Sequence, residues 1–558
     1  MLEKRIRHFN RYQDIIRAMI HNGFGSIAKE LGLSDMLPFG GQWTFEGKEV
    51  KNRPAAERIR AILEELGPTF VKLGQMLSTR PDIVPPSVIL ELEKLQNHVP
   101  AFSPEEVKKI IESNLEATID ELFSDFTEEA LAAASIGQVH KAVLHTGEEV
   151  AVKVQRPNIQ GNIETDLEIL HNIARLAEKR FSWARDYGIS DIVDEFSQSL
   201  HQELDYGIEG RNSEKIANQF IDNDIIKIPS IYWDYSTKRV LTMEYVEGIK
   251  INEIEMLDEL GFDRQLISER FTDAMMNQIL INGLFHADPH PGNVLIQPGN
   301  RIVLIDFGNI GHLDTRIKYA FATLIIALKR GNTDSVMRAI LKLGFTPDDI
   351  NYDKLRSDVE EIIDKYYGHP LNTLNMSEAV NDFFTLTYLH HIRIPSDLTM
   401  LGKTFLAVEG VVETLNPEFN IIDVIEPFGE KLIKERLKPK NLADSLWNKV
   451  VEYSDILDEM PRNINELMKK LKEGKFRVQI EVPQLDVFLG KMDKVGNQLS
   501  YAIILLSFSI IMAGLIIGSS SRGSGSILWQ VPIIEIGSII ATLMVLYLLY
   551  SIFKSGRF

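Results

Sequence analysis

The chain has 558 residues, 25% of them charged, with a formal net charge of -19 and a pI near 5.3. That balance excludes a nucleic-acid binder driven by an overall basic field, and the absence of cysteine excludes disulfides, thiolate metal sites and a thiol nucleophile. The length allows two to four domains, and Met1–Arg5 lead into a polar helical pattern with no apolar signal core, so no secretory leader is expected.

Residues 1–50 read as helices of mixed polarity without evident chemistry. From Pro54 the pattern becomes strongly helical, through Arg58–Leu66, and stops at Gly67-Pro68. A second helix, Thr69–Leu77, places Lys72 and Gln75 on one face, with Gly74 between them permitting close backbone approach, and runs into Ser78-Thr79-Arg80-Pro81-Asp82. Taken alone, that face reads as solvated. Further helix is expected over Pro104–Phe123.

Near Leu131 the period becomes that of strands. The small-residue loop Ala132, Ala133, Ala134, Ser135, with Gly137 after it, precedes the strand Glu149–Val154, which reads Glu-Val-Ala-Val-Lys-Val. Val-Ala-Val-Lys is where a protein kinase places the lysine that grips the α- and β-phosphates of ATP, here Lys153. The usual Gly-x-Gly-x-x-Gly loop is absent, and alanines limit how closely backbone amides approach phosphate, so an altered nucleotide geometry is expected. The helical region Asp166–Asn212 offers Glu203, Asp205 and Glu209 as partners for the Lys153 ammonium, with one of them free to meet Lys72. The strand Arg239–Gly248 suits a hinge between lobes, where backbone groups around Glu244–Val246 bind adenine.

His286-Ala-Asp-Pro-His-Pro-Gly-Asn293 is followed by an apolar run, a turn at Gln297–Asn300, a second apolar run and Asp306-Phe307-Gly308. An Asp, an Asn five residues later, a hairpin and then Asp-Phe-Gly is the layout of a kinase catalytic loop and metal-binding loop. Asp288 would meet the reacting hydroxyl or water, and Asn293 and Asp306 would hold Mg²⁺ on the ATP phosphates across the hairpin. His286 and His290 read as scaffold rather than as a metal pair. Ala287 replaces the usual catalytic-loop Arg and no Ala-Pro-Glu follows Asp306, which argues against peptide phosphorylation.

Residues 310–430 read as helices completing a large lobe, and 431–498 as a juxtamembrane helical segment whose basic cluster near Lys469–Arg477 touches anionic headgroups. Leu499–Gly518 and Val531–Phe553 have the length and apolarity of a transmembrane hairpin. Basic residues before and after it, against Arg522 alone in the connecting loop, put the large domain on the cytoplasmic side of the cell membrane. Gly514-x-x-x-Gly518 and Gly537-x-x-x-Ala541 allow close helix packing, including a homodimer.

Together these residues resemble the UbiB-like family of atypical kinases, the ABC/AarF/ADCK group, over roughly residues 50–430. Lys72-Leu-Gly-Gln75 is similar to the family's Lys-x-Gly-Gln signature, Ala132–Ser135 to its alanine-rich loop and Glu203-Leu-Asp205 to its Glu-x-Asp motif. Glu209 with Asn212 is similar to Glu-x-x-Asn, where the glutamate pairs with the phosphate-gripping lysine. The resemblance implies an α+β, protein-kinase-like two-lobe fold with an N-terminal helical extension and a C-terminal transmembrane hairpin. It implies that Lys72 reaches Glu203 and Asp205 while Gln75 approaches Glu209, restraining the nucleotide site. It also implies ATP and Mg²⁺ as cofactors, membrane lipids, quinone or isoprenoid precursors and a lipid-biosynthesis complex as partners, and a role in ubiquinone or other isoprenoid-lipid biosynthesis or transport. The domain plan is 1–50, the Lys-x-Gly-Gln module 51–125, the small lobe with a helical insert 126–248, the large lobe 249–430, the juxtamembrane segment 431–498 and the spans 499–553. Two other readings stand beside a kinase or ATPase: a nucleotide-gated scaffold, and a conventional protein kinase.

Overall fold

A computed structural model describes residues 2–33, 53–95, 101–347, 350–366 and 376–419, with scattered positions from 424 to 543. The chain forms two compact units, residues 1–445 and 446–558.

In the first unit, α1 (Leu2–His21), α2 (Gly25–Glu30), α3 (Ala55–Leu66), α4 (Pro68–Ser78) and α5 (Pro86–Leu92) make up the N-terminal helices. Gly67, at φ +88°, ends α3 and begins α4, whose first residue is Pro68; a left-handed glycine followed by a proline reverses the chain in a single residue. The apolar sides of these helices bury Leu63, Phe70 and Leu92 against Leu167, Ile169 and Phe196. Those partners belong to α8 (Ile159–Arg180) and α10 (Ile189–Glu203), which with the short α9 (Ser182–Asp186) are inserted into the small lobe. The helical module is therefore clamped to the lobe through a shared core.

The small lobe is an antiparallel sheet in the order β1 (Phe123–Phe126), β3 (Gly137–Leu144), β4 (Glu149–Gln155), β6 (Val240–Glu244), with β2 (Ala132–Ala133) paired to β3. Alternation on β4 turns Val150, Val152 and Val154 into a core against Val107, Ile110 and Ile111 of α6 (Pro104–Leu115), while Lys153 points to the opposite face. Helix α6 starts in a capping box between Ser103 and Glu106, and α7 (Ile119–Leu122) leads into β1. After the insert, α11 (Tyr206–Ala217) packs across the sheet, and β5 (Ile226–Lys227) leaves it to pair in parallel with β10 (Arg301–Leu304).

The large lobe holds the hairpin β9 (Val294–Gln297) and β10, with β7 (Ile249–Lys250) beside β9, and a two-stranded ladder of β8 (Leu284–His286) with β11 (Ile310–His312). Around them lie α12 (Ile254–Glu259), α13 (Arg264–Met276), α14 (Thr315–Lys329), α15 (Thr333–Leu343), α16 (Tyr352–Tyr366), α17 (Met376–Leu389) and α18 (Ser396–Leu415). Phe271, Met275, Phe285, Phe405 and Val408 centre the core, so α13 and α18 form the floor beneath the catalytic loop.

The C-terminal expectation is corrected. Among the described residues no helix is long and apolar enough to cross a membrane. In the second unit, residues 502–511 are helical. The expected span Leu499–Gly518 is described in most of its residues, Val531–Phe553 only at Ile539, Thr542 and Leu543, and the segment 431–498 only at Met492 and Gly496. The placement in the cell membrane by two C-terminal spans is thereby overturned.

Candidate active site

Lys153 leaves β4 toward α11, and its Nζ lies 2.8 Å from both carboxylate oxygens of Glu209. The register of α11 selects Glu209. Asp205 caps that helix, accepting the Gly207 N–H at 3.0 Å, and the following turn aims Glu209 inward. Asp306 Oδ1 stands 3.9 Å from the same ammonium, and the Tyr206 ring lies 5.2 Å beneath it. Burial works to discharge Lys153, but the charges of Asp306 and Glu209 outweigh it and hold the amine well above the ordinary lysine range. Lys153 in turn draws Asp306 below the ordinary carboxylate range against its burial. Asp306 has φ +62°, a left-handed backbone that Asp tolerates better than most residues, and its Oδ1 accepts the Gly308 N–H at 3.2 Å.

The catalytic loop is fixed from several directions. A π-helical turn, Asn277–Asn282, sets buried Gln278 to accept the His286 N–H at 2.9 Å. Asn293 donates from its side chain to the Asp288 carbonyl at 3.1 Å, and its own carbonyl accepts the Ile305 N–H at 3.0 Å, which brings it beside Asp306. Thr404 of α18 donates to the Ala287 carbonyl at 3.1 Å, and Lys403 Nζ lies 3.3 Å from Asp288 Oδ1. His286 is fully buried against Phe307, burial lowering its pKa, and His290 Nδ1 accepts the Gly292 N–H at 3.0 Å. Both histidines act as scaffold, and among the described residues no three His, Asp or Glu side chains converge as a metal site.

The residues fit a nucleotide with its magnesium ion. Asn293 and Asp306 offer an amide and a carboxylate, the hard oxygen donors that Mg²⁺ takes alongside phosphate. Ser135 Oγ and Tyr206 Oη, on either side of Gly137, are buried without a hydrogen-bond partner, donors of the kind phosphate oxygens would meet. Ala132 and Ala133 pair with Val139 and Gln138 in a ladder, so the alanine-rich stretch is one arm of a hairpin that turns at Ala134–Gly137, with Arg156 donating to the Ala134 carbonyl at 3.0 Å.

Other expected residues are distributed differently. Lys72 meets Glu203 alone, at 2.8 Å, while Asp205 serves the α11 cap and stands 3.7 Å from Lys238. Gln75 donates to the Leu95 carbonyl at 3.2 Å, within its own module. Glu244 pairs with Lys227, and the N–H groups of Glu244 and Tyr245 go to the carbonyls of Ser230 and Glu149. The proposed adenine contacts at Glu244 are thus partly spent inside the lobe, and Val246 follows them in the hinge.

Sequence reasoning gave no role to Arg80, Asp82, Thr404 or Lys403. Arg80 is buried and grips Asp82 through two nitrogens, each at 2.9 Å, and Glu195 through a third at 2.9 Å. The Arg-Pro-Asp triplet after a helix was the only signal for this. Lys403 sits in an ordinary amphipathic pattern and had none. Lys72, Arg80, Asp288 and Lys403 all border one polar chamber of about 720 Å³ between the helical module and the large lobe.

A small-lobe lysine–glutamate pair, an Asp-Phe-Gly turn and a catalytic-loop Asp around one cleft define a kinase-like protein. A profile described as the ABC1 atypical kinase-like domain matches residues 94–340, one for the UbiB helical domain 359–420, and one for the ABC1/UbiB kinase-like C-terminal domain 483–554. The chain is 33% identical to an uncharacterized Synechocystis protein over 83% of its own length and 80% of that protein's. It is 32% identical to an uncharacterized Clostridium pasteurianum protein over 98% and 99%. Against the protein of Azotobacter vinelandii named "Probable protein kinase UbiB", identity is 33% over 72% and 76%. The chain belongs to the UbiB/ABC1 family of atypical kinase-like proteins.

Proposed function

We propose that this protein is an Mg²⁺-dependent, ATP-consuming phosphotransferase or ATPase whose acceptor is water or a small molecule rather than a peptide. The observation that carries the reading is the Lys153–Glu209 pair with Asp306 3.9 Å from its ammonium, facing Asp288 across the cleft. Lys153 would hold the α- and β-phosphates, and Asn293 and Asp306 the metal, which when bound neutralises phosphate charge. Asp288 accepts the proton of an acceptor oxygen as that oxygen bonds to the γ-phosphorus. The bond from the γ-phosphorus to its bridging oxygen breaks, and ADP leaves with the electron pair.

The Lys72–Glu203 pair over the chamber supports a small acceptor, because a peptide strand would have to displace the helical module. The family resemblance supports an isoprenoid lipid, including a quinone precursor, as the pathway served. The scaffold reading draws on the alanine-rich turn, whose Ala132 and Ala133 are engaged in a β ladder rather than forming a glycine-rich phosphate cradle.

The test is phosphate release from ATP with Mg²⁺ by the full chain and its Asp288→Asn variant, alongside equilibrium ATP binding. Turnover lost in the variant with binding retained supports the enzyme. Tight binding with no Asp288-dependent turnover would leave the nucleotide-gated scaffold.

A further inference from the structure

We infer that Lys403, on α18 and 115 residues beyond the catalytic Asp, is the cation that neutralises the transferring phosphoryl group. This deepens the phosphotransferase reading above and rests on it. The loop His286–Asn293 contains no lysine or arginine. Its two histidines are committed, one buried against Phe307 and one bonded to the Gly292 amide. Yet in phosphoryl transfer the protein's main task is to stabilise charge on the transferred group, and a cation in the right place is worth several orders of magnitude in rate.

Three lysine or arginine side chains line the chamber beside Asp288: Lys72, Arg80 and Lys403. The first is paired with Glu203 at 2.8 Å, and the second is filled by Asp82 and Glu195 at 2.9 Å. Both are held by carboxylates that belong to the module and its inserted helices. The carboxylate that holds Lys403 is Asp288 itself, at 3.3 Å.

The base of Lys403 is rigid and its tip is free. Thr404, fully buried, shares its one hydroxyl proton between the Ala287 carbonyl at 3.1 Å and the Met400 carbonyl at 2.9 Å, so α18 and the catalytic loop meet one residue from the lysine. The Lys403 side chain is 44% exposed and hinges on four flexible methylenes. Its ammonium rests on Asp288. With ATP seated it swings by a small rotation to the γ-phosphoryl oxygens, and Asp288 is released to take the acceptor's proton. The exchange is a balanced one: the cation passes from one anion to another as phosphoryl charge moves toward the acceptor and ADP departs.

The experiment compares the full chain with K403M and K403R by steady-state ATP turnover, ATP affinity at equilibrium, and affinity for ADP with aluminium fluoride, a mimic of the transferring phosphoryl. K403M should lose about 10²–10³-fold in kcat and a comparable factor in affinity for the fluoride complex, with ATP affinity within about twofold of wild type. K403R should keep most of both. Wild-type turnover and fluoride-complex binding in K403M would overturn the inference. Equal loss of ATP binding in both variants would also overturn it, by showing a structural role. If the wild-type chain itself shows no Asp288-dependent turnover and no preference for the fluoride complex over ADP, the phosphotransferase reading fails first and this one falls with it.

Discussion

The carboxylate of Asp82, in the N-terminal helical module, accepts the backbone N–H of Ile394 at 3.1 Å across 312 residues of chain. The same carboxylate takes two guanidinium bonds from Arg80, and Glu195 takes a third. Burial opposes the charge on Arg80, and these two acids more than offset it. Asp82→Ala would leave the buried Arg80 guanidinium with Glu195 as its one acid partner and orphan the Ile394 amide. It is expected to cost about 3 kcal/mol or more, read as a lower midpoint in urea unfolding. A loss below about 1 kcal/mol would mean that the module is held by its apolar core alone.

Glu209→Gln tests the Lys153 pair. The amide keeps the shape of the side chain but removes the charge that fixes the ammonium, leaving it to Asp306, whose Oδ1 stands 3.9 Å off and would draw it over by about 1 Å. A displacement of this order is expected to lower kcat/KM for ATP by about 10²-fold, measured by steady-state phosphate release. A value close to wild type would assign the positioning of Lys153 to Asp306.

Gly137 has no room for a side chain. A Cβ there would lie 2.3 Å from Tyr206 Oη and 2.5 Å from the Val154 carbonyl oxygen. Gly137→Ala is therefore expected to destabilise the small lobe by about 2 kcal/mol, seen as a lower thermal midpoint. Adding Tyr206→Phe should recover part of the loss, since the carbonyl clash remains. Full recovery would place the whole conflict on the hydroxyl.

His140 is fully buried in β3. Its Nδ1–H donates to the Thr127 carbonyl at 2.8 Å and its Nε2 accepts from Gln138 at 2.9 Å, a pattern that only the neutral ring satisfies. Burial pushes its pKa below the ordinary value of about 6.5. A lowered pKa means that this contribution is complete above about pH 6.5 and is lost as pH falls through the folded-state value. Urea unfolding across about pH 7.5 to 5 should show a shallower decline for His140→Gln than for wild type. Equal slopes would assign the acid sensitivity to other groups.

The nucleotide side of the site was legible because its chemistry is local. Asp288, Asn293 and Asp306 are separated by one hairpin, and strand alternation alone puts Lys153 opposite the valine core. Glu209 was legible only with the resemblance: from the residues, Glu203 and Asp205 were equal rivals, and the Asp205 cap on α11 decides among them. What the pattern hid depends on helices far apart in sequence. Nothing in the run around Lys403 distinguishes it from a solvated lysine, and Arg80 with Asp82 looked like the end of a helix. The C-terminal spans were read from apolar composition alone, and among the described residues no helix is long and apolar enough to cross a membrane. The resemblance turned Gln75 toward Glu209 and the strand pattern put the Glu244 backbone in a hinge, while in the fold Gln75 donates to the Leu95 carbonyl and the Glu244 side chain pairs with Lys227.

Helix α18 also sets the order in which the molecule is completed. At a synthesis rate of about 5–20 residues per second, residue 394 follows residue 82 by on the order of 15–60 s. The apolar faces of α3 and α4 find their partners on α8 and α10 long before then, since those helices are made within the first 203 residues. The bond from the Ile394 N–H to Asp82 must wait. A nascent chain thus hides its apolar module early, and Asp82 gains its bond to the large lobe only when Ile394, two residues before α18, has been made.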